Sequence, residues 1–95
     1  MDTKELLGRV CGSINDNEIC IYNCGDGTYM RLIKNASETD FIKICGECER
    51  LGYTLFQRND IEENIYASYR GNMLIHTYFC PAEKILRVIC DPYSV

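Results

Sequence analysis

The sequence predicts an α+β fold, with one helix packed on an antiparallel sheet of about five or six strands in the order ββαββββ. Three observations predict it. Residues 66–90 read as three consecutive short strands separated by turn signals. Residues 37–52 carry both ends of one amphipathic helix. Residues 18–34 read as two strands around a glycine-rich turn. At 95 residues the chain makes a single domain, and 46% hydrophobic residues suffice for a modest core.

Residues 1–17 are ambiguous. Leu6, Leu7, Val10, Cys11 and Ile14 fit a short helix or an entering strand, and Asn15-Asp16-Asn17 is a turn cluster. Residues 18–23 and 29–34 form the first two strands, joined at Cys24-Gly25-Asp26-Gly27, whose glycines supply positive φ. The Gly-Asp-Gly run resembles a phosphate loop, but it lacks the Lys-Ser/Thr ending and the following helix, so it reads as a hairpin turn.

The helix starts at Ser37, the N-cap of a capping box completed by Asp40, and stops at Gly52, a C′ glycine. Stepping about 100° per residue, Phe41, Cys45 and Cys48 fall at the centre of the apolar stripe, flanked by Ile42, Ile44 and Leu51. Lys43, Glu47 and Arg50 face water. Gly46 lies mid-helix, at a cost of roughly 1 kcal/mol against Ala, and close packing is the one account the sequence offers for it. Residues 53–58 form the next strand and residues 59–63 a polar link.

The last three strands fix which side chains share a face. Gly71-Asn72 reads as a two-residue type II′ turn, which pairs Tyr69 with Leu74, Ala67 with His76 and Ile65 with Tyr78. A three-residue loop over residues 82–84 pairs Cys80 with Leu86, Tyr78 with Val88 and His76 with Cys90. Directly opposed residues share a side, so these belong to the helix-covered face. The other face then carries Tyr66, Met73, Ile75, Phe79, Ile85 and Ile89, with Arg70 and Arg87 among them. One helix covers one face, so this second apolar face is expected to dock a partner domain or a second copy. Its interaction residues are Tyr66, Ile75, Phe79, Arg87 and Ile89.

Composition excludes several function classes. The net charge of −4 and the scattering of the ten basic residues exclude a nucleic-acid footprint. No apolar run is long enough to span a membrane. The first seven residues lack the apolar core of a signal peptide, so the chain reads as cytoplasmic, and its seven cysteines as reduced thiols. The last five residues are not a polar tail and fit a domain boundary within a longer chain.

Residues 52–69 read Gly-Tyr-Thr-Leu-Phe-Gln-Arg-Asn-Asp-Ile-Glu-Glu-Asn-Ile-Tyr-Ala-Ser-Tyr, and residues 81–89 read Pro-Ala-Glu-Lys-Ile-Leu-Arg-Val-Ile. Together with the Leu-Gly-Tyr helix exit, this text resembles the small N-terminal accessory domain of clostridial metallo-β-lactamase-fold hydrolases, over about residues 18–93. The resemblance implies an appended domain. It does not imply activity in this chain, because the hydrolase's His-x-His-x-Asp-His cluster is absent and His76 is the one histidine.

Two other chemistries have candidate residues. Cys45-Gly46-Glu47-Cys48 has redox-motif spacing, but it lies about two turns into the helix, where the dipole no longer activates a thiol. A zinc module would draw on Cys45 and Cys48 with either Cys20 and Cys24, or His76 and Cys90. A Cys–His nucleophile pair would lack an Asn or Asp to orient the imidazole. Glu62-Glu63 reads as a solvated link, and Ser68 lacks a nucleophile-elbow context. The leading reading is therefore a non-catalytic accessory domain with no catalytic residue, no metal and no cofactor.

Overall fold

A computed structural model describes residues 1–14 and 18–92, so the turn cluster expected at residues 15–17 lies outside it. Two helices and six strands follow in the order α1 (Thr3–Val10), β1 (Ile19–Gly25), β2 (Thr28–Lys34), α2 (Glu38–Arg50), β3 (Thr54–Ile61), β4 (Asn64–Arg70), β5 (Leu74–Cys80) and β6 (Ile85–Asp91). The strands form one antiparallel sheet in the order β1-β2-β6-β5-β4-β3. The fold is α+β, as expected, with a helix added at the front. The ambiguous N-terminal segment resolves as α1, capped by Asp2, whose Oδ1 accepts from the Glu5 amide at 2.8 Å.

Both helices lie on one face of the sheet. α1 packs over β2 and β6, α2 over β5 and β3, and the two touch each other. The core between them holds Leu6, Leu7 and Val10 from α1, and Phe41, Ile44 and Cys48 from α2. From the sheet come Ile33, Ala67, Ile75, Phe79, Leu86, Val88 and Cys90. Thr77, also buried, donates its hydroxyl to the Ala67 carbonyl at 2.8 Å, so no polar debt is left there.

α2 has the expected ends. Ser37 and Asp40 exchange side-chain-to-backbone bonds in a capping box. At the exit the Tyr53 amide reaches the Cys48 carbonyl and the Gly52 amide the Glu49 carbonyl, a Schellman motif with Gly52 at φ +89°. The stripe is centred on Phe41, Ile44 and Cys48, with Cys45 only half-buried and Ile42 exposed. Gly46 is solvent-facing, and a Cβ there would meet nothing within 4 Å, which removes close packing as its explanation.

Four turns set the register. Asp26-Gly27 closes β1–β2, both residues at positive φ as a type I′ turn requires. β3 runs on through the expected polar link to Ile61 and turns at Glu62-Glu63. Between β4 and β5 the loop has three residues, not two: Arg70 pairs with Leu74 and Tyr69 with Ile75. Gly71 is not a type II′ glycine, since its φ is not positive. It is glycine because the Tyr53 ring lies on it, 2.8 Å from where a Cβ would stand, with the Tyr53 hydroxyl bonded to Asn72 Oδ1 at 2.6 Å. Between β5 and β6 the loop has four residues, pairing Cys80 with Ile85.

β5 is thus displaced by one residue against both neighbours, and a one-residue slip turns every side chain over. β4 and β6 keep the faces expected of them. β5 does not: Ile75 and Phe79 point under the helices, 0% and 3% exposed, and Phe79 stacks on Phe41 with ring centroids 6.0 Å apart. Met73, in the turn, is buried as well. Leu74, His76 and Tyr78 stand on the face away from the helices.

Candidate functional site

The face away from the helices is built by alternate residues of each strand. β4 contributes Tyr66, Ser68 and Arg70, and β5 contributes Leu74, His76 and Tyr78. Ile85, Arg87, Ile89 and Asp91 come from β6, opposite Met30, Leu32 and Lys34 of β2. Among the described residues no element lies over this face. Its central side chains are nonetheless half-buried, because they lie across one another. Tyr66 and Tyr78 meet edge to face at 6.2 Å. Arg87 lies 5.9 Å over Tyr78, and Arg70 lies 4.8 Å over Phe56. Neither arginine forms a salt bridge with a carboxylate among the described residues. Beside the tyrosines is an open hollow of about 440 Å³ lined by Gln57, Asn59, Ile61, Asn64, Tyr66 and Tyr78.

At the centre Ser68 and His76 pair across the strands, Oγ to Nδ1 at 2.8 Å. Burial lowers the His76 pKa below its ordinary 6.5, against an opposing pull from Asp91, so the ring is neutral at pH 7. Serine, histidine and aspartate invite comparison with a hydrolytic triad. The geometry does not supply one. Ser68 is 1% exposed, so its hydroxyl is sealed from substrate. It stands mid-ladder between two paired strands, where its main-chain N–H is committed to the sheet and cannot serve an oxyanion. The pair is a clamp across β4 and β5. Sequence reasoning missed it through the register: a three-residue loop over residues 71–73 is the one reading that sets Ser68 opposite His76.

The expected interaction residues divide. Tyr66, Arg87 and Ile89 are on the open face. Ile75 and Phe79 are not, because the slip of β5 places them in the core under the helices, while the rest of the expected docking face stays uncovered. His76, expected beside Ala67 and Cys90, faces Ser68 and Ile89 instead.

The alternative metal groupings are not assembled among the described residues. His76 and Cys90 lie on neighbouring strands but opposite faces of the sheet, so they cannot share an ion. Cys20 and Cys24 are on β1, the sheet's outer strand furthest from β3, whereas Cys45 and Cys48 are on α2 above β5 and β3. Among the described residues no three His, Cys, Asp or Glu side chains form a chelating group. Of the candidate thiols Cys48 and Cys90 do come close, and they are joined by Cys11, which was not among the candidates. Burial raises all three above the ordinary thiol value, Cys11 and Cys90 to about 12, despite the Arg31 guanidinium pulling both down. Cys45 is raised too, first by burial, with Tyr69 partly opposing. These are protonated, weakly nucleophilic thiols at neutral pH, the opposite of an activated redox pair.

No family model, no curated protein and no solved structure matches this chain.

Proposed function

We propose that this chain is a non-catalytic interaction domain, which docks a partner protein domain through the open face of its sheet as the accessory region beside a metallo-β-lactamase-fold hydrolase. The observation that carries the reading is that face itself. An antiparallel sheet with one wet side alternates apolar and polar residues, whereas here Leu74, Tyr78, Ile85, Ile89 and Leu32 stand on the uncovered side. Aromatics with arginine match the composition of an interface centre. Arg70 and Arg87, cations on the open face of an acidic chain, favour a partner whose apolar surface is edged with carboxylates.

Size supports a tethered partner. Six strands of seven or eight residues outline roughly 500 Å². That is small for a free-standing complex but adequate for a neighbour held at millimolar effective concentration by a linker. All seven cysteines are free, which suits a reducing compartment, so we place the chain in the cytoplasm. No helix among the described residues is long and apolar enough to cross a membrane.

The test begins with the parent gene. A hydrolase domain encoded beside this segment is expressed alone and titrated with this chain by calorimetry. Binding that Ile89→Asp abolishes, with the variant still folded, is the expected result. A parent gene without such a domain, or a domain that binds the variant equally well, refutes the reading.

A further inference from the structure

We propose that two copies of this chain pair their β3 strands antiparallel about a two-fold axis through Asn59, joining two sheets into one. β3 is an outer strand and all its residues are exposed. Which of its main-chain groups point outward follows from its turn. Ile61 and Asn64 flank a two-residue loop, so they exchange main-chain bonds with each other. Alternation along the ladder then turns Asn59 toward Tyr66 and leaves the N–H and C=O of Arg58 and Asp60 facing away from β4.

A second copy must bond to those outward residues. It can set Arg58 opposite its own Arg58, Asp60 opposite its own Asp60, or Arg58 opposite Asp60. The first two place like charges directly across the pair, which destabilises it. The third places opposite charges at both ends and Asn59 against its own copy, and it is self-complementary under a two-fold, as a closed dimer requires. The Arg58 and Asp60 side chains already sit together in one copy, Nε to Oδ1 at 3.2 Å and about half exposed, so crossing the axis exchanges partners without moving either far. Edge strands that avoid self-pairing carry charge of one sign or a bulge. The bulge in β3 lies at its other end, between Leu55 and Gln57, leaving residues 58–61 straight. In this register Ile61, 67% exposed, packs across the axis on Gln57. Both residues line the hollow, so the hollows of the two copies share a wall.

Sedimentation velocity over a micromolar-to-millimolar series tests this. The chain is expected to dimerise, with Arg58→Asp and Asp60→Arg each weakening the dimer about tenfold or more, and the double exchange restoring it. In the dimer the Arg58 and Asp60 amides exchange hydrogen slowly. A monomer at every concentration overturns the proposal, as does a dimer insensitive to either single change, or a double exchange that fails to recover. If a charge reversal unfolds the chain, Asp60→Pro replaces it, because that outward N–H serves only the second copy. A folded Asp60→Pro variant that still dimerises overturns the proposal as well.

Discussion

The two faces of the sheet come from the same strands and are stabilised differently. Under the helices, Ile75, Phe79, Val88 and Cys90 are held by side chains from elsewhere in the chain, and burial is complete. On the open side Tyr66, Tyr78 and Arg87 are held by neighbours on the same face, and burial is half. A change on the first face breaks contacts between layers. A change on the second breaks only lateral contacts, which rearrange.

The sharpest way to break this comparison is a pair of matched substitutions. Phe79→Ala is expected to cost about 3–5 kcal/mol, since it empties a site stacked on Phe41. Ile89→Ala, on the open face, is expected to cost about 1 kcal/mol or less. Urea melts of the two variants decide it, and equal losses would mean that the open face is as tightly organised as the core.

A second expectation concerns alkaline pH. Cys11, Cys48 and Cys90 hold their protons in the fold to pH values well above those at which the unfolded chain releases them. A raised folded pKa gives stability that is complete below the unfolded value, near 9, and is lost as pH rises toward the folded one. The slope is about 1.4 kcal/mol per pH unit for each thiol titrating in the unfolded chain alone. Denaturation midpoints taken from pH 8 to 11 should therefore fall, and Cys90→Val should flatten the fall. A flat profile in the parent chain would place the thiols nearer water than the core has them.

The third, smaller effect lies on the open face. His76→Leu leaves the sealed Ser68 hydroxyl without its partner and should cost about 1–3 kcal/mol. Adding Ser68→Ala should recover most of the loss, because both polar groups are then gone. A double-mutant cycle with no coupling would show that the cross-strand bond contributes nothing.

The parts legible in the sequence were those with local chemistry. Ser37, Asp40 and Gly52 announce the ends of α2, and the Asp-Gly pair announces the first hairpin, because caps and turns depend on residues within one or two turns of chain. The face of β5 was not legible. Leu74 and Ile75, then Tyr78 and Phe79, put apolar side chains at both alternations, so the pattern accepts either register. The arbiter was Gly71, whose role is to admit a ring from Tyr53, far away in sequence. The Ser68–His76 clamp was hidden for the same reason. α1 was obscured by brevity and by Gly8, although Asp2 three residues ahead of Glu5 carries the N-cap signal.

The seam between β2 and β6 bears on how the chain becomes folded. Among the described residues, the hairpin of β1 and β2 joins the rest of the sheet only through β6, residues 85–91. During synthesis, α1 and the first hairpin emerge early, with neither the β6 ladder nor the β6 half of the α1 seat yet available. The meander of β3, β4 and β5 assembles from near neighbours, but closing the seam spans most of the chain and carries the loop entropy of doing so. Until β6 arrives, the inner edge of β2 is an unpaired strand with apolar residues on both sides, the form in which chains find each other before they find themselves.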